Sequence, residues 1–171
     1  MTTIRPATTD DLPSIVHITN WAIDHTHAHF ATTHWTLDEA RAEFDACLAR
    51  HPWFVAIAED LHENPHDDQI IGYAKCKPWN PRGAYADAAE ISAYILPDHH
   101  GRGVGKALYA QLIPAARARA LRTLIAGIAL PNDASVRLHE AIGMTHVGTF
   151  TRIGVKHAVW HDVGYWQMHL D

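Results

Sequence analysis

Cysteine is scarce in this chain. Only Cys47 and Cys76 occur among 171 residues, far apart and without metal-type spacing, so the sequence offers neither a disulfide framework nor a thiolate zinc site. Two buried, reduced thiols are the reading that remains. A basic block is missing too: 14 Lys and Arg stand against 19 Asp and Glu, for a formal net charge of −5, which speaks against a nucleic-acid partner. No apolar run approaches the roughly 18 residues that a bilayer span requires, and Met1 leads straight into polar Thr2 and Thr3 without an apolar signal region. The expectation is a cytoplasmic protein with no membrane partner. Repeats, low-complexity tracts and linkers are absent, so residues 1–171 read as one domain able to bury roughly two-thirds of its unfolded surface.

Hydrophobic residues make up 47% of the chain and include six tryptophans, while 15 histidines make its charge sensitive to acid near the imidazole pKa of about 6.5. Patterning divides the chain into alternating elements. Residues 3–7 form a short edge strand, because Pro6 would cost a central strand a ladder hydrogen bond. A first helix follows, capped by Thr9 or Asp10, with Pro13 in its first turn and Leu12, Ile15, Val16, Thr19, Ala22 and Ile23 on one face. Thr36 and Glu39 make a capping box for a second helix running to about Arg50.

Two apolar runs, 53–58 and 70–77, read as a hairpin whose polar tip includes the charged run 63–68. A fourth strand carries Ala89, Glu90, Ile91 and Ala93. A helix over 106–121, bent at Pro114, is followed by an apolar strand over 123–130 that reads as covered on both faces. Pro131-Asn132-Asp133 interrupts the chain before a short helix over 134–142, closed by Gly143. Two strands, around 146–150 and 160–169, complete an α/β arrangement on one mixed sheet.

The most informative stretch joins the fourth strand to the helix after it: His100-Gly101-Arg102-Gly103-Val104-Gly105-Lys106. Glycines at alternate positions let the backbone turn tightly and expose successive N–H groups, and the helix start adds its positive dipole end, which suits a phosphate. Glu90, mid-strand among small apolar residues, reads as a buried acid beside that ligand. Burial would raise its pKa toward the working range of a general base. The alternatives are an exposed edge-strand Glu or a buried Glu paired with an arginine.

Four ordered motifs carry a resemblance: the glycine turn; Ile4-Arg5-Pro6-Ala7-Thr8; Leu130-Pro131-Asn132-Asp133 with Ser135-Val136-Arg137-Leu138-His139-Glu140-Ala141; and Trp160-His161-Asp162-Val163-Gly164-Tyr165-Trp166-Gln167. Together they resemble the GNAT superfamily of N-acetyltransferases, and within it the phosphinothricin and methionine sulfoximine acetyltransferase branch. The resemblance implies a mixed, mostly antiparallel sheet of about seven strands flanked by about four helices. It also implies acetyl-CoA as cosubstrate, no metal, and a homodimer. The implied reaction is acetyl transfer by direct attack in a ternary complex, to the amine of a small amino acid or an analogue of the phosphinothricin, methionine sulfoximine or methionine sulfone type.

The resemblance also assigns residues. Glu90 would act as base through a water, and His139, where many members have a tyrosine, would protonate the departing thiolate; a packed structural histidine is the alternative. Backbone N–H groups of His100, Gly101, Arg102, Gly103, Val104 and Gly105, with Lys106 at the helix start, would cradle the coenzyme A pyrophosphate. His100 departs from the Gln or Arg usual at that place, and its imidazole would approach the phosphate instead. Ala93, Tyr94 and Ile95 would hydrogen-bond the pantetheine arm through their backbone. Asn132, with Ser135 beside it, would bind the same arm, unless Asn132 is simply a turn former.

Arg82, Gly83 and Tyr85 match the branch's basic loop and would meet the acceptor's carboxylate, or else be solvated loop residues. Phe30 and Lys156 have pocket or interface parallels. His25, His27 and His29, with His34 nearby, alternate as zinc ligands can, but read as a polar loop between the first two helices. Two other functions stay open: a different amine acceptor, or a non-catalytic acyl-CoA or amino-acid binding module. A histidine-rich metal binder is a further class.

Overall fold

The computed structural model describes residues 2–58 and 69–170; the polar hairpin tip, including 63–68, lies outside them. The chain runs β1 (Thr2–Pro6), α1 (Leu12–His25), α2 (Leu37–Cys47), β2 (Trp53–Ala58), β3 (Gln69–Pro78), β4 (Ala88–Ile95), α3 (Val104–Ala118), β5 (Thr123–Leu130), α4 (Asp133–Ala141), β6 (Thr145–Lys156) and β7 (Val159–His169). Among the described residues seven strands form one mixed sheet in the order β1-β2-β3-β4-β5-β7-β6. Among them only β4 and β5 pair in parallel, so this is the mostly antiparallel α/β sheet with four helices expected of the resemblance.

Local chemistry explains most element boundaries. The edge position of β1 accommodates Pro6. The cap before α1 differs from expectation. Thr8, not Thr9 or Asp10, opens a short turn, and its N–H donates to Asp11 Oδ2 at 2.7 Å. Arg5 clamps the same carboxylate through both terminal nitrogens, at 2.6 and 2.8 Å. Burial would raise the Asp11 pKa, but the Arg5 and Thr8 hydrogen bonds outweigh it and hold the carboxyl below its ordinary value. Helix α2 opens with the expected capping box, Glu39 N–H donating to Thr36 Oγ1 and Thr36 N–H to Glu39 Oε2. It ends at Cys47, short of Arg50.

Helix α3 starts two residues before expectation and continues through Pro114 to Ala118. Strand β6 is far longer than the 146–150 run. A register shift between Phe150 and Gly154, with Arg152 in the left-handed region at φ 49°, breaks the alternation, and pairing then resumes to Lys156.

Each sheet face carries its own core. Leu108, Tyr109, Leu112 and Ala116 of α3 pack on Ala89, Ile91, Leu124 and Ala126. On the other face Leu12, Ile15 and Ile18 of α1 and Phe44 of α2 cover Trp53, Val55, Ile57 and Tyr73. Ile18 is buried on the α1 face, whereas Val16, expected there, is half-buried. Strand β5 is not covered throughout, because Gly127 is exposed.

One feature of the pairing positions the site. β4 and β5 pair at Ala88 with Thr123, Ala89 with Leu124 and Glu90 with Ile125, and there the ladder stops. Both strands run on to Ile95 and Leu130. The sheet therefore opens along residues 91–95 and 126–130, with Glu90 on the last paired rung.

Candidate active site

The opening between β4 and β5 is the mouth of a cavity of about 500 Å³. Its walls include residues 91–95 of β4, residues 127–129 of β5, the glycine turn with the start of α3, Asn132, Ser135, Leu138 and His139 at α4, and Ile18, Trp21 and Ala22 of α1. On the β5 side residues 91–95 have no ladder partner, so backbone donors and acceptors there remain available to a ligand lying along the strand.

The three glycines of the turn serve two different purposes. Gly101 and Gly103 lie in the left-handed region, at φ 72° and 80°, where a side chain is strained whatever the space. Gly105 has an ordinary φ, but a Cβ there would stand 2.8 Å from Leu138 Cδ2 and 3.5 Å from Ile95 Cδ1. Helix and α4 approach closely because it has none. Gly103 is the N-cap of α3 and brings no side chain to cap it, so the first amides of this 15-residue helix face the cavity end, a polarity that suits a diphosphate.

Of the residues assigned to cofactor binding, Ala93, Tyr94, Ile95, His100, Gly101, Gly103, Val104, Gly105, Lys106, Asn132 and Ser135 all border this cavity. Arg102 is exposed and does not. The His100 imidazole does not reach toward a phosphate. Its Nε2–H donates to the Ile95 carbonyl at 2.8 Å, tying the turn to the end of β4. Asn132 caps α4, its Oδ1 accepting from Ser135 N–H at 3.1 Å, so its turn-forming role is real and its amide nitrogen is the atom able to meet a ligand.

Glu90 is not the buried acid that the strand pattern suggested. Its side chain is 28% exposed and pairs with Lys77, Nζ to Oε2 at 3.2 Å. The reason is register: Lys77 and Glu90 are direct partners across β3 and β4, so their side chains share a face. The paired alternative holds in part, with a lysine in place of the arginine. Aromatic rings flank this pair. Burial, and then the Glu90 charge, push the Tyr94 and Tyr165 phenols above their ordinary pKa. Tyr165 packs edge-on against Trp79 and Phe150 and lies over Gly127, where a Cβ would come within 3.2 Å of the ring.

His139 is 6% exposed on the cavity wall. Its Nδ1 lies 2.8 Å from the Ser135 carbonyl, which can only accept, so Nδ1 carries the proton. Nε2 is then an acceptor, and the Tyr109 hydroxyl, 3.1 Å away, donates to it. Burial holds the imidazole below its ordinary pKa, against the opposing pull of the Ser135 carbonyl. Both ring nitrogens are thereby engaged by protein groups, and the imidazole stands on the cavity wall in its neutral form. Sequence reasoning missed Tyr109. Its signal was a hydroxyl-bearing ring on the buried face of a helix, next to Leu108 and one turn past the glycines.

The residues assigned to the acceptor are scattered. Arg82, Gly83 and Tyr85 lie exposed in the β3–β4 loop and border neither cavity described here. Phe30 packs on His161 and fills the space above Gly154. Lys156 is buried and donates to the Ala31 carbonyl. The loop histidines disperse: His25 binds and stacks on Trp21, His27 bonds Pro131 and stacks on His161, His29 meets Tyr94 and accepts from Ala31, and His34 pairs with Asp24. Among the described residues no three His, Cys, Asp or Glu side chains converge as metal ligands. Both thiols are buried and free, and burial pushes Cys76 up to about 12.

A parted parallel strand pair, a glycine turn opening a helix at the gap and a carboxylate on the last paired rung define an acyl-CoA-dependent transferase. The chain belongs to the GNAT acetyltransferases: the family's acetyltransferase domain matches residues 2–145. It is 38% identical over 98% of its length to phosphinothricin N-acetyltransferase of Streptomyces viridochromogenes, covering 87% of that protein. With the L-methionine sulfoximine/L-methionine sulfone acetyltransferase of Pseudomonas paraeruginosa it shares 34% identity, covering 98% of this chain and 94% of the other. Among solved structures, a phosphinothricin acetyltransferase of Sinorhizobium meliloti in complex with acetyl-CoA superposes with TM-score 0.91 at 30% identity, over 99% of this chain and 88% of that one. The chain is an acetyl-CoA-dependent N-acetyltransferase.

Proposed function

We propose that the acceptor is the free amine of a small amino acid or close analogue, of the phosphinothricin, methionine sulfoximine or methionine sulfone type named for its relatives. The observation that carries this reading is the carboxylate of Glu90 on the last paired rung of the opening, beside a cation. An amino-acid ammonium must lose a proton before its nitrogen can attack. Glu90 takes that proton through a water. The nitrogen then adds to the thioester carbonyl, a backbone N–H of residues 93–95 steadies the developing oxyanion, and the carbon–sulfur bond breaks. The departing thiolate takes a proton from water and the proton collected at Glu90 returns to water, so the transfer is proton-neutral overall.

In this reading the amides from His100 to Gly105 hold the diphosphate, and Asn132 and Ser135 hold the pantetheine arm. The working form is a cytoplasmic homodimer. Val147, Phe150, Ile153, Val155, Val159 and Trp160 of β6 and β7 are all between 46% and 59% exposed, which leaves apolar surface at the β6 edge of the sheet for a second copy. Light scattering should then give twice the 19.1 kDa chain mass.

The test of the acceptor is a thiol-release assay with acetyl-CoA against phosphinothricin, methionine sulfoximine, methionine sulfone and the common amino acids. Transfer to one of the three analogues well above hydrolysis supports the reading. Hydrolysis alone, or transfer only to amines without a carboxylate, overturns it.

A further inference from the structure

A second cavity, of about 620 Å³, lies on the α1–α2 side of the sheet, bordered by His29, Trp35, Glu43, Lys75, Lys77 and Pro81. Lysines concentrate around it. His29 is held at about 4 by burial first and then by the charges of Lys75, Lys156 and Lys77, so three ammonium groups surround one loop. Two of them are already committed. Lys75 is 11% exposed, pairs with Glu43 at 2.7 Å and sits over the rings of Trp35 and Trp53. Lys156 is buried on the Ala31 carbonyl. Lys77 is different: 43% of its side chain is exposed, and its ion pair among the described residues is with Glu90 alone.

We infer that Lys77 is the specificity residue for the acceptor's anionic group, so that Lys77 and Glu90 together read the carboxylate and the ammonium of one amino acid. The inference rests on the acceptor class proposed above and names what enforces it. Because the two residues face each other across β3 and β4, their charges stand side by side 3.2 Å apart. An α-amino acid carries its own opposite charges on an ammonium nitrogen and carboxylate oxygens that two carbons separate, a distance of the same size. Laid head to tail beside the pair, its ammonium faces Glu90 through the bridging water and its carboxylate meets Lys77, and each charge gains an opposite neighbour. The pair is part-solvated, so loosening it costs little. An amine without a carboxylate competes with Lys77 for Glu90 and offers that ammonium nothing in return.

The experiment compares kcat/KM for methionine sulfone with that for its decarboxylated counterpart, methylsulfonylpropylamine. The wild-type enzyme, Lys77→Met and Lys77→Arg are measured at saturating acetyl-CoA. A charged hydrogen bond to carboxylate predicts a wild-type preference for methionine sulfone of about 10- to 100-fold. That preference should collapse toward parity in Lys77→Met, chiefly through KM, and return in Lys77→Arg. An unchanged ratio in Lys77→Met, even with an overall loss of rate, reduces Lys77 to a neighbour of Glu90 and overturns the inference while leaving the acceptor class intact. Failure of wild-type enzyme to acetylate methionine sulfone, with transfer to the decarboxylated amine, removes the acceptor class and the inference together.

Discussion

Replacing Tyr109 by Phe removes one oxygen atom from a ring that is 0% exposed and leaves its packing volume almost unchanged. The lost group is the donor to His139 Nε2 at 3.1 Å, while Nδ1 stays committed to the Ser135 carbonyl at 2.8 Å. The variant therefore holds a buried imidazole nitrogen with an unanswered lone pair. An unsatisfied buried acceptor costs about 1–3 kcal/mol. Near 2 kcal/mol, and at about 2–4 °C per kcal/mol for a domain of this size, the melting temperature should fall by about 4–8 °C.

A thermal melt followed by circular dichroism at pH 8 measures this. A double-mutant cycle with His139→Leu isolates the pair, because each single substitution strands the partner's polar atom and the double strands neither. The coupling should be at least about 1 kcal/mol. An unchanged melting temperature in Tyr109→Phe, or strictly additive losses in the cycle, refutes the hydrogen bond.

Gly103→Ala meets no atom within 4 Å but must hold φ at 80°. It should cost about 1 kcal/mol in urea unfolding and weaken acetyl-CoA binding in calorimetry, and full retention of both contradicts the left-handed turn. Asp11→Asn breaks the bidentate Arg5 clamp and should lower stability by about 2 kcal/mol, read from the urea midpoint at pH 7. His29 has a folded pKa of about 4 against an ordinary 6.5. The unfolded chain therefore takes up the proton first, and stability, complete above 6.5, falls as pH drops from 6.5 toward 4. His29→Gln should flatten that slope, and an equally steep curve in the variant assigns the loss elsewhere.

Much of the fold is legible in the sequence because its signals are local. Pro6 marks an edge strand, Thr36 and Glu39 cap α2, and glycines 101, 103 and 105 mark the turn into α3. What escaped depends on partners distant in the chain. Glu90 sits mid-strand as its neighbours suggest, but its environment is set by the residue opposite it, and only the β3–β4 register brings Lys77 there. His100 was assigned by its place in a motif, yet the imidazole folds back on Ile95. Tyr109 looked like core, since a buried hydroxyl declares itself only when its acceptor arrives from α4. The extended β6 was hidden by the bulge at Arg152, which interrupts the alternation by which strands are recognised.

The claim at the centre of this account is that one carboxylate, at the rung where two parallel strands part, readies the amine for attack. Glu90→Gln keeps the shape and removes the base. Turnover with methionine sulfone at pH 7.5 should fall by about 10²- to 10⁴-fold, while acetyl-CoA affinity by calorimetry stays at the wild-type value. Wild-type turnover in that variant contradicts the account.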